Sequence, residues 1–163
     1  MIHPRACLLA ALLLQGCADD AVPVRQVHTS FTEASGLLVT DGQGLSQQLI
    51  PESLAVRAVV SPSGRWIAVE DTRLSNLVVV RAFRYSGERY EEIVLPGIRE
   101  QWHAMADRAG LEFEDLINPR VGIEAFGPLE QTLLLQFRAD SGLAAEPELS
   151  ARAEIALESP PTG

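Results

Sequence analysis

From Gln26 to Leu157 the chain alternates apolar and polar positions with a period of two, broken once by helical spacing. Val27, Thr29 and Phe31 fall on one side of a strand predicted over 26–31, with Gln26, His28 and Ser30 on the other. A shorter run over 36–40 is closed by Asp41-Gly42-Gln43-Gly44, and Ser46 to Ile50 fits neither period cleanly before Pro51. The middle of the chain is the clearest. Val56 to Val60 leads into Ser61-Pro62-Ser63-Gly64, where proline presets φ and glycine permits a positive φ. A strand over 65–70 follows, with Ile67 and Val69 on one face and Trp66 and Ala68 on the other. Leu77 to Tyr85 is the longest β-run, and a two-residue Ser86-Gly87 link predicts a tight hairpin with 89–95. That register opposes Phe83 to Tyr90, Arg81 to Glu92 and Val80 to Ile93, favourable cross-strand pairs, and also Arg84 to Arg89, an unfavourable one.

After Pro96-Gly97 the period changes. Ile98, Trp102, Met105, Ala106 and Ala109 share one stripe, which predicts a helix over 98–109 stopped at Gly110. Leu111 to Ile117 suits a second short helix ended by Asn118-Pro119. Alternation resumes over 121–126, 132–138 and 149–158. Strands in succession with a single helical interruption predict a mainly β protein, an antiparallel sandwich or open meander with one helical insertion at about residues 98–117.

The N-terminus has another composition. Arg5 closes a short leading segment, and Ala6 to Leu14 is an unbroken apolar run of nine residues. That is far short of the ~20 needed to span a membrane and matches the apolar region of an export signal. It ends in Leu14-Gln15-Gly16-Cys17. The segment resembles the type II signal peptides of bacterial lipoproteins, with leucine at −3, glycine at −1 and cysteine at +1. The resemblance implies cleavage before Cys17, a diacylglycerol thioether on that cysteine and an added acyl chain of the palmitate type. Several acyl chains anchor a protein durably where one does not. Ala18 occupies the +2 position, where aspartate would retain such a protein in the inner membrane, so the implied location is the periplasmic face of the outer membrane. The expected organisation is a cleaved signal over 1–16, a lipidated tether over 17–23, one β-rich domain over 24–158 and a tail over 159–163.

Cleavage would remove Cys7 and leave Cys17 without a disulfide partner, so stability must come from packing. It would also leave 12 arginines against 22 acidic residues, a formal −10, and the chain has no lysine. Such a balance argues against nucleic acid as a partner.

Chemistry is sparse. His28 falls on a polar strand face, and His103 lies between Arg99 and Asp107 on the polar side of the helix. There is no Cys-x-x-Cys, no His-x-x-x-His and no Gly-x-Ser-x-Gly, so neither a metal nor another cofactor is expected. Trp66 and Tyr90 are the candidate contact residues, because half-exposed Trp and Tyr favour interfaces. Ser61-Pro62-Ser63-Gly64-Arg65-Trp66-Ile67-Ala68 resembles the strand-opening motif of TolB-type β-propeller blades, although a propeller takes about four blades or more. The expectation is a non-enzymatic module, anchored at Cys17, that binds or scaffolds an envelope protein or component. The alternatives are a small-ligand carrier, which needs an apolar cavity, and an envelope hydrolase, which needs an acid–base pair assembled in space.

Overall fold

The computed structural model describes residues 24–75, 77–142 and 147–157. The chain is mainly β, and the described residues form three antiparallel sheets, each open rather than closed into a barrel, and a single α-helix. The first sheet holds β1 (Val27–Thr32), β2 (Gly36–Asp41) and β3 (Ser46–Ile50). The central sheet holds β4 (Ala55–Val60), β5 (Trp66–Leu74), β6 (Leu77–Tyr85) and β7 (Tyr90–Ile93), in sequence order. Helix α1 (Ile98–Arg108) then leads to the third sheet of β8 (Ile117–Phe126), β9 (Thr132–Asp140) and β10 (Glu148–Ala156).

The central sheet is buried on both faces. Ile67, Val69, Phe83 and Tyr90 pack against Leu37, Val39, Leu49 and Ile50 of the first sheet. Trp66, Ala68, Val80 and Ala82 point the other way, into a core shared with α1 and with Leu133, Leu135, Phe137 and Ile155 of the third sheet. Trp102 of α1 meets Phe137 edge-on, with ring centroids 4.9 Å apart. Two-sided burial explains why β5 opens as an unbroken run, Trp66-Ile67-Ala68-Val69, with no polar face. The outer sheets keep one polar face each. His28, Ser30 and Ser46 are exposed on the first, and Arg138, Ser150, Arg152 and Glu154 on the third.

The helix ends as its sequence predicts. Leu111 N–H donates to Ala106 O and Gly110 N–H to Asp107 O, with Gly110 at φ +70, the paired bonds of a Schellman stop. Residues 111–117 do not form a second helix. Only the single 3-10 turn Phe113–Asp115 appears, and β8 begins at Ile117 and runs through Pro119. The register shifts between Ile117 and Arg120, with Asn118 at φ +50. An edge strand tolerates such an irregular, proline-containing start, because the missing N–H faces no neighbour.

The β6–β7 hairpin also differs from its expected form. Tyr85 pairs with Tyr90, Arg84 with Glu91, Phe83 with Glu92 and Ala82 with Ile93, across a four-residue link in which Ser86 N–H donates to Arg89 O. The slip relative to the two-residue link keeps every side chain on its expected face. It replaces the Arg84–Arg89 repulsion by an Arg84–Glu91 pairing. Gly87 still supplies a positive φ, +108.

Candidate functional site

β7 covers only part of its neighbour. Its four residues pair with Ala82 to Tyr85, and among the described residues no second strand pairs with the first five residues of β6, Leu77 to Arg81. Tyr85 N–H donates to Arg65 O, so odd-numbered residues of β6 face β5 and even-numbered ones face outward. Val78 and Val80 therefore turn their N–H and C=O groups to the open side. Among the described residues no turn, loop or side-chain bond reaches them. The open edge borders a notch of about 690 Å³ lined by Val79, Val80, Arg81, Val94, Leu95 and Ile98. Val79 and Val94 in its lining are 39 and 90% exposed, and Leu74 and Leu77, paired at the end of the β5–β6 hairpin, are 58 and 41% exposed.

On one face of the notch lies an ionic group. Asp71 is fully buried, and its Oδ2 forms an ion pair with Arg73 Nε at 2.7 Å and accepts from Arg81 Nη1 at 3.4 Å. Arg81 is also bidentate to Glu92, Nε to Oε1 at 2.7 Å and Nη2 to Oε2 at 2.5 Å. These bonds hold the Glu92 carboxyl below the usual range. The predicted Arg81–Glu92 pair thus forms, as a diagonal contact rather than a directly opposed one. Among the described residues no hydrogen-bond donor reaches Asp71 Oδ1.

Two other edges are capped by side chains. Ile123 in β8 donates its N–H to Glu70 Oε1 at 2.6 Å and accepts at its carbonyl from Arg57 Nη1 at 2.8 Å, while Arg57 and Glu70 pair at 2.5 Å. Tyr90 in β7 donates its N–H to Gln47 Oε1 at 2.8 Å, and Gln47 Nε2 donates back to the Tyr90 carbonyl at 2.7 Å. In both places a side chain supplies the donor and acceptor that a neighbouring strand would.

Cys17, the signal and the tether lie outside the described residues. Trp66 and Tyr90 are 2% and 5% exposed and belong one to each core, so the structure corrects their expected place at a free surface. Two-sided burial of the central sheet takes up both rings. Tyr90 also donates its hydroxyl to Gly64 O at 2.5 Å, and burial pushes its phenol pKa up. His28 is exposed on the first sheet. His103 lies 3.4 Å from Arg99 Nε and stacks near Phe113.

The Ser61–Gly64 turn is clamped by Glu130 from the third sheet. Ser61 Oγ donates to Oε2 at 2.8 Å, Ser63 N–H donates to Oε1 at 2.6 Å, and Ser63 Oγ also reaches Oε2. Burial pushes the Glu130 carboxyl up, but the bonds from Ser63 and Ser61 outweigh it and hold the group below the usual range. A carboxylate so held is a poor proton acceptor, and its part here is to join two sheets. Among the described residues no three His, Cys, Asp or Glu side chains converge as metal ligands, and no helix is long and apolar enough to cross a membrane.

A strand over 89–95 would cover more of β6 than β7 does; β7 ends at Ile93, and nothing in Val94-Leu95 before Pro96 marks that earlier end. Compared with known protein families, with curated proteins and with solved structures, the chain matches none.

Proposed function

We propose that this protein is an envelope binding module, lipid-anchored through Cys17 at the periplasmic face of the outer membrane, that takes an extended segment of another envelope protein onto the open edge of β6. The observation that carries the binding site is the stretch Leu77 to Arg81, paired with β5 on one side and with no described strand on the other, with exposed Leu77 and Val79 in it and exposed Val94 beside it. Addition of a strand to an exposed edge draws affinity from main-chain bonds and selectivity from alternate side-chain positions. The anchoring rests on Leu14-Gln15-Gly16-Cys17 and the short apolar run before it.

A photo-crosslinking residue placed at Leu77 in cells tests this reading. Adducts are expected from Leu77 and not from Ser150 on the outer face of the third sheet. Cys17→Ser should abolish palmitate incorporation and the Leu77 adducts together. Equal adducts from both positions, or membrane retention of an unlabelled Cys17→Ser chain, would refute it.

A further inference from the structure

We infer that the segment taken at this edge carries a cationic side chain, lysine or arginine, at the position that comes to lie beside Val79. The inference rests on the strand-addition reading and adds the chemistry of the occupant. Val79 pairs with Asp71 across the β5–β6 ladder, so the two share a face of the sheet. A residue laid beside Val79 on the open side points to that same face. Asp71, Val79 and the incoming residue then form a row, with neighbours about 4.8 Å apart. A long, flexible cationic side chain can cross Val79 toward Asp71; a serine or asparagine cannot.

Asp71 is the group that calls for it. Both of its arginine contacts fall on Oδ2, and among the described residues Oδ1 has no partner although Asp71 is fully buried. A buried carboxylate oxygen without a donor is costly, and an ionised donor is the strongest remedy. Arg81 cannot readily turn to it, because its Nε and Nη2 are held by Glu92. Glu92, with its side chain 46% exposed, brings the cluster to two carboxylates facing two arginines, so the vacant Oδ1 and not a net charge is what selects a donor. A formal net charge of −9 steers cationic segments toward the protein. A second copy of this chain fits less well. Two β6 edges related by a two-fold axis at Val79 would set valine against valine, and an axis at Val80 would offer only Arg81, which Glu92 and Asp71 already hold.

The test uses the full chain in detergent and two capped synthetic peptides, Ser-Thr-Val-Lys-Val-Thr-Ser and the same peptide with glutamine at its centre. Titration should show the lysine peptide binding about ten-fold tighter or more, a ratio worth about 1.4 kcal/mol. Both peptides should slow amide exchange at Val78 and Val80, and the preference should shrink as salt is raised. Asp71→Asn should remove the preference, and the peptide comparison on the unaltered chain stands whether or not that variant folds. Equal binding with Val78 and Val80 protected overturns the cationic inference and leaves strand addition in place. Failure of both peptides to protect those amides overturns strand addition as well. Protection that grows with protein concentration alone assigns the edge to a second copy and overturns the inference.

Discussion

Ile123 in β8 and Val80 in β6 both direct main-chain groups away from their neighbouring strand, yet the protein treats them oppositely. At Ile123 an arginine and a glutamate converge on one residue and pair with each other as well. At Val80, among the described residues, no side chain bonds to the edge, and the notch beside it joins exposed Val79 and Val94 to the Asp71–Arg81–Glu92 cluster. Tyr90 repeats the first solution with the amide of Gln47. Uncapped edges invite pairing with other chains, which is why capping is the common outcome. The difference is one of position as well as chemistry. The capped residues belong to edges covered by another sheet, whereas the open five residues lie where β7 turns away toward α1. An edge left open beside capped ones is a selective feature of this chain, not a general looseness of its sheets.

The contrast can be broken most forcefully at Arg81. If the open edge is rigid, Arg81→Ala should destabilise the fold by about 2–3 kcal/mol, because Asp71 stays buried with only Arg73 beside it. Chemical denaturation measures this, and a loss under about 1 kcal/mol would mean that the cluster is solvated and the edge loose. Next in size, Glu70→Ala removes the acceptor for the Ile123 N–H and should cost about 1–2 kcal/mol, with faster amide exchange at Ile123. An unchanged exchange rate there would show that the cap is decorative. Smallest of all, Val79→Lys should leave stability within about 0.5 kcal/mol, since the side chain is part-exposed and makes no cap. The same change should suppress any partner adducts formed from Leu77. A large stability loss instead would place Val79 in the core and remove it from the edge.

Much of the secondary structure was legible. β6 and the start of α1 fall where alternation and helical spacing put them, and the face assignments of Ile67, Val69, Trp66 and Ala68 hold. The hairpin register was not, because a slip of two residues preserves every face and leaves the pattern unchanged. The Arg84–Arg89 clash in the shorter loop was the clue that the link is longer. Stacking of a sheet on each face of the central one was not legible either. Alternation reports one buried face, and a doubly buried sheet shows only as a local run such as 66–69. The capping contacts join residues 43 to 66 positions apart, beyond the reach of any local pattern. The candidate site was missed for a smaller reason: the edge opens because β7 ends at Ile93, two residues before the apolar run does.

The central sheet has a consequence for how the molecule breathes. Among the described residues the first and third sheets contribute to separate cores, one on each face of the central sheet. Fluctuations are then expected to be graded along the stack rather than uniform. The first sheet, three short strands on one face, can lift away while the core around Trp102 and Phe137 stays intact. The amides of β5 between Trp66 and Val69, enclosed on both faces, can reach solvent only when the whole protein opens. The open edge of β6 stays paired with β5 when the first sheet lifts, so the site does not depend on that sheet being in place.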